Sequence, residues 1–314
     1  MGDIPQNSTG YIVAPFKASS KFPVYVYNNI DVSVHSIADF SSNEETTDKD
    51  IAFHSDEQSY QSAFLKVKHC LENGEANKIV LARKETANNI TTNHTALFIN
   101  ACRKYPHCYI ALIKTTRHGV WLTATPELLY KTHLSHGHTT ALAGTMKWSD
   151  SENGKLWSTK NIKEQQMVTD YIKGRLTDHY IAFSLANPRT IKAGALAHLQ
   201  TDFTIETGKH SALELLQILH PTPAVAGTPL QVAIRAIEQA EGENFRQYYT
   251  GFNGFLNHKK YGTQCYVSLR LMNIDNGNNV HLYAGGGILP ESTLEQEWHE
   301  TALKLNTMKS LFNT

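Results

Sequence analysis

The order of the periodic segments constrains this chain more than any single residue does. Strand-like stretches come in consecutive runs, and long amphipathic helices stand between the runs. An open parallel sheet would need a helix after each strand, so this order predicts an α+β fold. Asp56–Gly74 carries Tyr60, Phe64, Val67 and Leu71 at helical spacing, with Asp56 placed to cap its start and Gly74 its end. Lys78–Arg83 follows as a strand, Thr95–Lys104 as a helix, and Cys108–Lys114 with Gly119–Thr123 as paired strands. The Thr125-Pro126 step breaks that run, and Glu127–Thr132 and Thr139–Gly144 resume it. Ile162–Leu185 reads as one long helix, Leu196–Ile205 as a strand, and Ala212–Leu219 and Leu230–Glu241 as helices. Tyr248–Asn257, Thr263–Met272 and Asn279–Ala284 return to strands before a closing helix, Glu291–Phe312. Residues 1–55 hold two short aromatic-bearing segments, Gly10–Phe16 and Phe22–Tyr27, which read as short strands and loops. No repeat or low-complexity linker marks a boundary, so one domain over 1–314 is expected.

Charge narrows the function classes. The 314 residues hold 29 Lys+Arg against 29 Asp+Glu, so the formal net charge is zero. There is no global basic field to hold nucleic acid and no acidic excess of the kind that keeps a chain disordered. A chain of this length buries roughly three quarters of its unfolded surface and needs no disulfide or structural metal to fold. Cys70, Cys102, Cys108 and Cys265 show no CxxC spacing and read as buried, reduced thiols. The opening MGDIPQNSTG lacks a basic n-region and an apolar h-region, and no stretch approaches the roughly 18 apolar residues of a membrane span. A cytoplasmic protein without a membrane contact is expected.

The last helix carries the first chemical signal. At about 100° per residue from Leu294, the residues Trp298, Thr301, Leu305, Met308 and Phe312 fall on one stripe facing a core. Glu297, Glu300 and Lys304 cluster roughly a quarter turn away. By themselves these fit a solvated edge with an i,i+4 ion pair. The helix, however, follows Tyr283-Ala284-Gly285-Gly286-Gly287-Ile288, and a strand ending in three glycines lets backbone approach a ligand. Amides at a helix entry favour an anion, and carboxylates beside an anion repel it unless a divalent cation bridges them. The pattern points to an anionic substrate with Mg²⁺. It lacks the residue order of a phosphate-binding P-loop.

Eight segments, in order, make the chain recognisable: KIVLAR (78–83), ATPELLY (124–130), LAGT (142–145), KNIKEQQMV (160–168), HPTPAVAG (220–227), YTGFNGF (249–255), YVSLR (266–270) and AGGGILPESTLEQEWHETALK (284–304). The sequence resembles the chorismate-utilising enzymes over roughly residues 56 to 314, with 1–55 as a shortened N-terminal part. The resemblance implies an α+β fold of two packed, largely antiparallel β-sheets with outer helices. It implies Lys78 as general base and Glu127 as general acid, the latter needing a raised pKa to hold its proton. A lysine serves as base only where desolvation or nearby positive charge helps it shed a proton. Outside the family both residues would read as surface charges at strand ends. By the same resemblance Glu164 and Glu300 are Mg²⁺ ligands, with Glu297 a further or water-mediated one. Arg270, supported by Tyr249, grips the enolpyruvyl carboxylate of chorismate. Gly144, Thr145, Gly285 and Gly287 bring backbone close to the ring, Lys304 meets a substrate carboxylate, and His220 and Ala224 of HPTPAVAG join the substrate-binding set. Two positions depart from many relatives: Gln165 stands where His is common, and Gly286 where Ala is common.

Three features select a branch. Amine-adding relatives tend to carry Gln at the position of Lys78. Aminodeoxychorismate synthases carry a nucleophilic lysine where Ala143 stands. Amine-adding relatives also end the HPTPAVAG segment in GAPK, whereas Gly227 here precedes Thr228-Pro229. The resemblance therefore implies water as nucleophile and an isochorismate synthase, an isomerase feeding menaquinone or catechol siderophore synthesis. Salicylate synthase is the alternative, with an anthranilate-type synthase or an inactive binding relative further off. No amidotransferase subunit is expected, and 314 residues leave no room for a fused one. A monomer acting on the small molecule chorismate is expected.

Overall fold

The computed structural model describes residues 4–40, 51–133 and 136–312. In chain order these form β1 (Gly10–Ala14), β2 (Tyr25–Tyr27), β3 (His54–Ser55), α1 (Glu57–Glu72), β4 (Lys78–Ala87), α2 (His94–Lys104), β5 (Tyr109–Thr115), β6 (Gly119–Thr125), β7 (Leu128–His133) and β8 (His136–Lys147). There follow α3 (Trp148–Glu152), α4 (Thr159–Asp178), β9 (Phe183–Leu185), β10 (Arg189–Ala193), β11 (Leu196–Glu206), α5 (Ala212–Leu219), β12 (Gly227–Thr228), α6 (Leu230–Glu241), β13 (Phe252–His258), β14 (Gly262–Val267), β15 (Leu271–Ile274), β16 (Val280–Ile288) and α7 (Leu294–Lys309).

Among the described residues the strands make two antiparallel sheets. One has nine strands, in the order β10-β11-β8-β7-β14-β13-β1-β2 with β9 also on β11; the other has seven, β12-β4-β16-β15-β6-β5 with β3 also on β4. The sheets pack face to face through Val13, Phe22, Ala82, Trp121, Tyr248, Tyr249, Leu271 and Tyr283. Outside the larger sheet, Val168, Ile172 and Leu176 of α4 join Leu213, Leu216 and Leu219 of α5 over Phe203, Tyr130 and Cys265. Outside the smaller sheet, α2 and α7 cover Leu122, Met272 and Leu282, and α1 and α6 cover Ile79 and Leu81. This is the expected α+β architecture, helices outside two packed sheets.

Side-chain alternation places the chemistry. In β4, Ile79 and Leu81 face α1 and α6, so Lys78, Val80 and Ala82 face inward. In β16, Leu282 and Ala284 face α7, and Tyr283 faces the other sheet.

Two expected elements differ. The helix expected to run to Leu185 ends at Asp178; Tyr180 turns the chain at φ +57, and Phe183–Leu185 pairs with β11. Its apolar stripe stops at Leu176, so nothing beyond would hold a helix against the sheet. The strand read over Thr263–Met272 is two strands in different sheets, with the chain crossing between them at Ser268–Arg270. The aromatic N-terminal segments form β1 and β2, and β1 pairs with β13 inside the larger sheet. Of the four unpaired cysteines only Cys265 is fully buried. Among the described residues no helix is long and apolar enough to cross a membrane.

Candidate active site

The chain crosses from one sheet to the other at two neighbouring places, and each crossing carries a predicted site residue. Glu127 lies between β6 and β7, and Arg270 between β14 and β15. The crossings are tied together: Val267 N donates to Glu127 O at 3.0 Å, Ala124 N to Arg270 O at 3.4 Å, and Thr123 Oγ1 to Leu269 O at 2.7 Å. Arg270 holds φ +42 and Thr250 φ +61. Side chains of this kind rarely adopt that region, at a cost of about 1–3 kcal/mol each, and such strain gathers at functional sites. Beside the crossings opens a cleft of about 580 Å³, counting its mouth. Of the residues expected from sequence, Glu127, Gly144, Thr145, Glu164, Ala224, Tyr249, Arg270, Gly285 and Lys304 line it.

Burial sets the charge states. Glu127 is 3% exposed. Desolvation pushes its carboxyl up to about 7, against the pull of Lys78, Arg270 and Lys304. Burial likewise keeps the Tyr249 phenol protonated, so its hydroxyl is a donor. Burial would raise Glu164 too, but Lys78, then Lys304 and Lys160, outweigh it and hold that carboxyl below its ordinary range.

Among the polar lining residues, His198 and Thr250 were missed in the sequence. His198 takes the Arg270 guanidinium (Nη2 to Nε2, 2.7 Å), and its Nδ1 bonds the Gly144 carbonyl at 2.7 Å. These partners fix the tautomer: Nδ1 donates and Nε2 accepts. Burial and the Arg270 charge hold the imidazole well below its usual range, so it stays neutral. Its strand, Leu196–Glu206, shows only ordinary alternation. The signal is a register shift between Ala197 and Leu199 opposite β8, and such a bulge re-aims a side chain.

Five expected residues stand behind the lining. Lys78 is fully buried, and its Nζ lies 2.8 Å from Glu164 Oε1 in an ion pair not aligned as a hydrogen bond. A Cβ on Gly287 would come within 2.4 Å of Glu164 Oε1 and 2.7 Å of Lys78 Cε, so only glycine leaves room for that pair. Glu300 Oε1 accepts from Lys304 Nζ at 2.8 Å, and the same ammonium reaches Gly285 O at 2.9 Å. Glu297 Oε1 accepts from Lys160 Nζ (2.5 Å) and Ser292 Oγ (2.7 Å), while its Oε2 is buried without a partner. His220 was expected to touch substrate; instead its Nε2 donates to Thr250 O at 2.9 Å and supports the wall. Burial lowers that imidazole to about 4, so it too is neutral.

The two departures from the family pattern are accommodated. Gln165 Nε2 donates to Thr169 Oγ1 (2.9 Å) and Thr201 Oγ1 (2.8 Å), tying α4 to β11. Gly286 leaves the space taken by Glu297 Oε2, which an added Cβ would approach to 2.6 Å.

A metal would find hard oxygen donors here, which suit Mg²⁺. The unpartnered Glu297 Oε2 and the glycine cradle fit such an ion. Yet among the described residues no three His, Cys, Asp or Glu side chains converge closely enough to hold one as they stand. Each candidate carboxylate is turned toward a lysine instead.

Comparison with known proteins agrees with this arrangement. The isochorismate synthase EntC of Escherichia coli (strain K12) is 33% identical over 203 residues, covering 62% of this chain and 51% of that protein. The isochorismate synthase MenF of Haemophilus influenzae is 30% identical over 257 residues, covering 77% and 57%. The solved structure of MenF, the menaquinone-specific isochorismate synthase from Escherichia coli, superposes with a TM-score of 0.76 at 27% identity, over 85% of this chain and 64% of that one. The chain thus spans about half the length of the curated relatives it matches. The sequence profile of the family described as chorismate binding enzyme matches residues 19–313, nearly the whole chain, and the chain belongs to that family.

Proposed function

We propose that the protein is an isochorismate synthase, a Mg²⁺-dependent isomerase that adds water at C2 of chorismate and expels the C4 hydroxyl. One observation carries this reading: Glu127, in a cleft with Arg270 and Lys304, holds its proton to about pH 7. A carboxyl that stays protonated near neutrality can donate to a leaving hydroxyl.

The exchange balances as follows. Water forms its bond to C2 and gives a proton to Lys78. The ring double bonds shift, the C4–O bond breaks, and Glu127 gives its proton to the departing hydroxyl, which leaves as water. Arg270, oriented by neutral His198, grips the enolpyruvyl carboxylate, and the Tyr249 hydroxyl donates beside it. Lys304 faces a substrate carboxylate. Backbone at Gly144, Thr145 and Gly285, with Ala224, shapes the ring pocket, and Gly287 gives Lys78 its room. Glu164 and Glu300 would hold Mg²⁺, with Glu297 directly or through water, and the ion would neutralise the ring carboxylate.

Lys78 and Ala143 favour water over ammonia and argue against a covalent lysine intermediate. The product would serve menaquinone or catechol siderophore synthesis, and the enzyme would act in the cytoplasm as one chorismate-binding unit. Incubating the purified chain with chorismate and Mg²⁺ and separating the products tests the proposal. Isochorismate without pyruvate is expected. Salicylate with pyruvate would assign the alternative branch, and anthranilate formed with ammonium would overturn the role of Lys78.

A further inference from the structure

Lys160 is a charged residue that the proposed reaction does not use. It lies in the first turn of α4, which contains no acidic residue. A cation there opposes the positive end of the helix dipole, so helix stability does not explain it. Its ammonium sits 2.5 Å from Glu297 Oε1. The pair is not a surface contact, since the Glu297 side chain is 0% exposed and that of Lys160 24%.

The surroundings give the pairing a purpose. The carboxylate that the Lys160 ammonium meets is fully buried, and the other oxygen of that carboxylate, Oε2, has no partner. Of the three candidate metal ligands, Glu297 is the one this ammonium contacts. Glu164 and Glu300 each have another lysine, Lys78 and Lys304; among the described residues, Lys160 is the ion-pair partner of Glu297. Glu297 is fully buried, and a buried carboxylate needs a cation. Lysine is suited to a temporary role: a compact charge on a flexible stem, here with a route to solvent.

We propose that Lys160 is a built-in counter-cation that competes with the divalent ion for Glu297, so that metal binding is an exchange in which the ammonium leaves that carboxylate for solvent. The inference rests on the metal ligands assigned under the proposed function. It accounts for three glutamates that suit Mg²⁺ chemically yet stand apart, each on its own lysine. Metal affinity would then be set partly by a residue that never touches the metal.

The test is direct binding of Mn²⁺ to the full chain without substrate, followed by the loss of the free-ion electron paramagnetic resonance signal. Lys160→Met should bind Mn²⁺ about tenfold more tightly than the parent. It should also lose thermal stability without metal and regain it with metal. Lys160→Arg, which keeps the charge, should bind as the parent does. Should Lys160→Met not fold, Lys160→Gln makes the same measurement. Unchanged or weaker binding in the neutral variants, with binding still lost in Glu300→Gln, would overturn the exchange and leave the metal site standing. Binding that survives both Glu164→Gln and Glu300→Gln would overturn the ligand assignment, and the exchange with it.

Discussion

Glu127 and His198 are both buried, and burial drives each to its neutral form, with opposite uses. The neutral carboxyl is a proton donor, and the neutral imidazole can accept from Arg270. Replacing Glu127 by Gln should lower kcat by about 10²–10⁴-fold, the usual contribution of general acid catalysis, as measured by product formation. The same residue makes stability depend on pH. Its folded carboxyl titrates near 7 rather than 4.5, so its share of stability is full below about pH 4.5 and is lost as pH rises through 7. The loss approaches about 3 kcal/mol by pH 8, for a shift from 4.5 to about 7. Urea titrations at pH 4.5 and 8 should show that slope in the parent and not in Glu127→Gln; equal slopes would contradict it. His198→Phe removes the acceptor from Arg270 and should raise KM about tenfold or more, since an orphaned hydrogen bond to a charged group costs about 1.5–3 kcal/mol; an unchanged KM would contradict that role. The charged residues of the site were legible in the sequence because the chemistry demands charge within recognisable segments. His198 was not, because its place depends on a bulge that leaves no mark in composition.

At the scale of elements, the helices were the more legible. Asp56 caps α1 as expected, accepting from Ser59 N at 2.9 Å, and Leu230–Glu241 forms α6. Strands that change sheets were not legible: Thr263–Met272 stays buried or half-buried throughout, the polar Ser268 and Arg270 of the crossing included. The elements are locked at the cleft by Arg246. Its guanidinium meets Val225 O and Val80 O at 2.6 Å and both oxygens of Glu241 at 2.6 and 2.7 Å. It joins α6, β4 and the 220–227 segment directly behind Tyr249 and Thr250. Arg246→Met would leave the buried Glu241 carboxylate without its counter-cation, with the Ala82 amide still donating to it, and should cost about 3–5 kcal/mol in chemical denaturation. In β16, Gly287→Ala would drive a Cβ into the Lys78–Glu164 pair; about 1–3 kcal/mol of stability should be lost, and turnover with it.

For the whole molecule, zero net charge means that no global field gathers a dianion. Attraction has to come from Arg270 and Lys304, which line the cleft, and from any bound metal. The N-terminal strands belong to the frame of two sheets. Removing residues 1–28 would strip β1 from β13 and take Val13 and Phe22, each 4% exposed, out of the inter-sheet cluster. About 3–6 kcal/mol should be lost for those two side chains, and an unchanged urea midpoint would refute their structural role. The aromatic segments marked these strands in the sequence, but nothing there named their partner. The paired crossings at Glu127 and Arg270 carry one more consequence. They stitch the two sheets together beside the cleft, so the sheets cannot swing apart there without breaking the Val267 to Glu127 bond. That side is the fixed jaw of a vice. Any widening of the cleft must come from the rest of its wall, where α4 and α7 present Glu164 and Lys304.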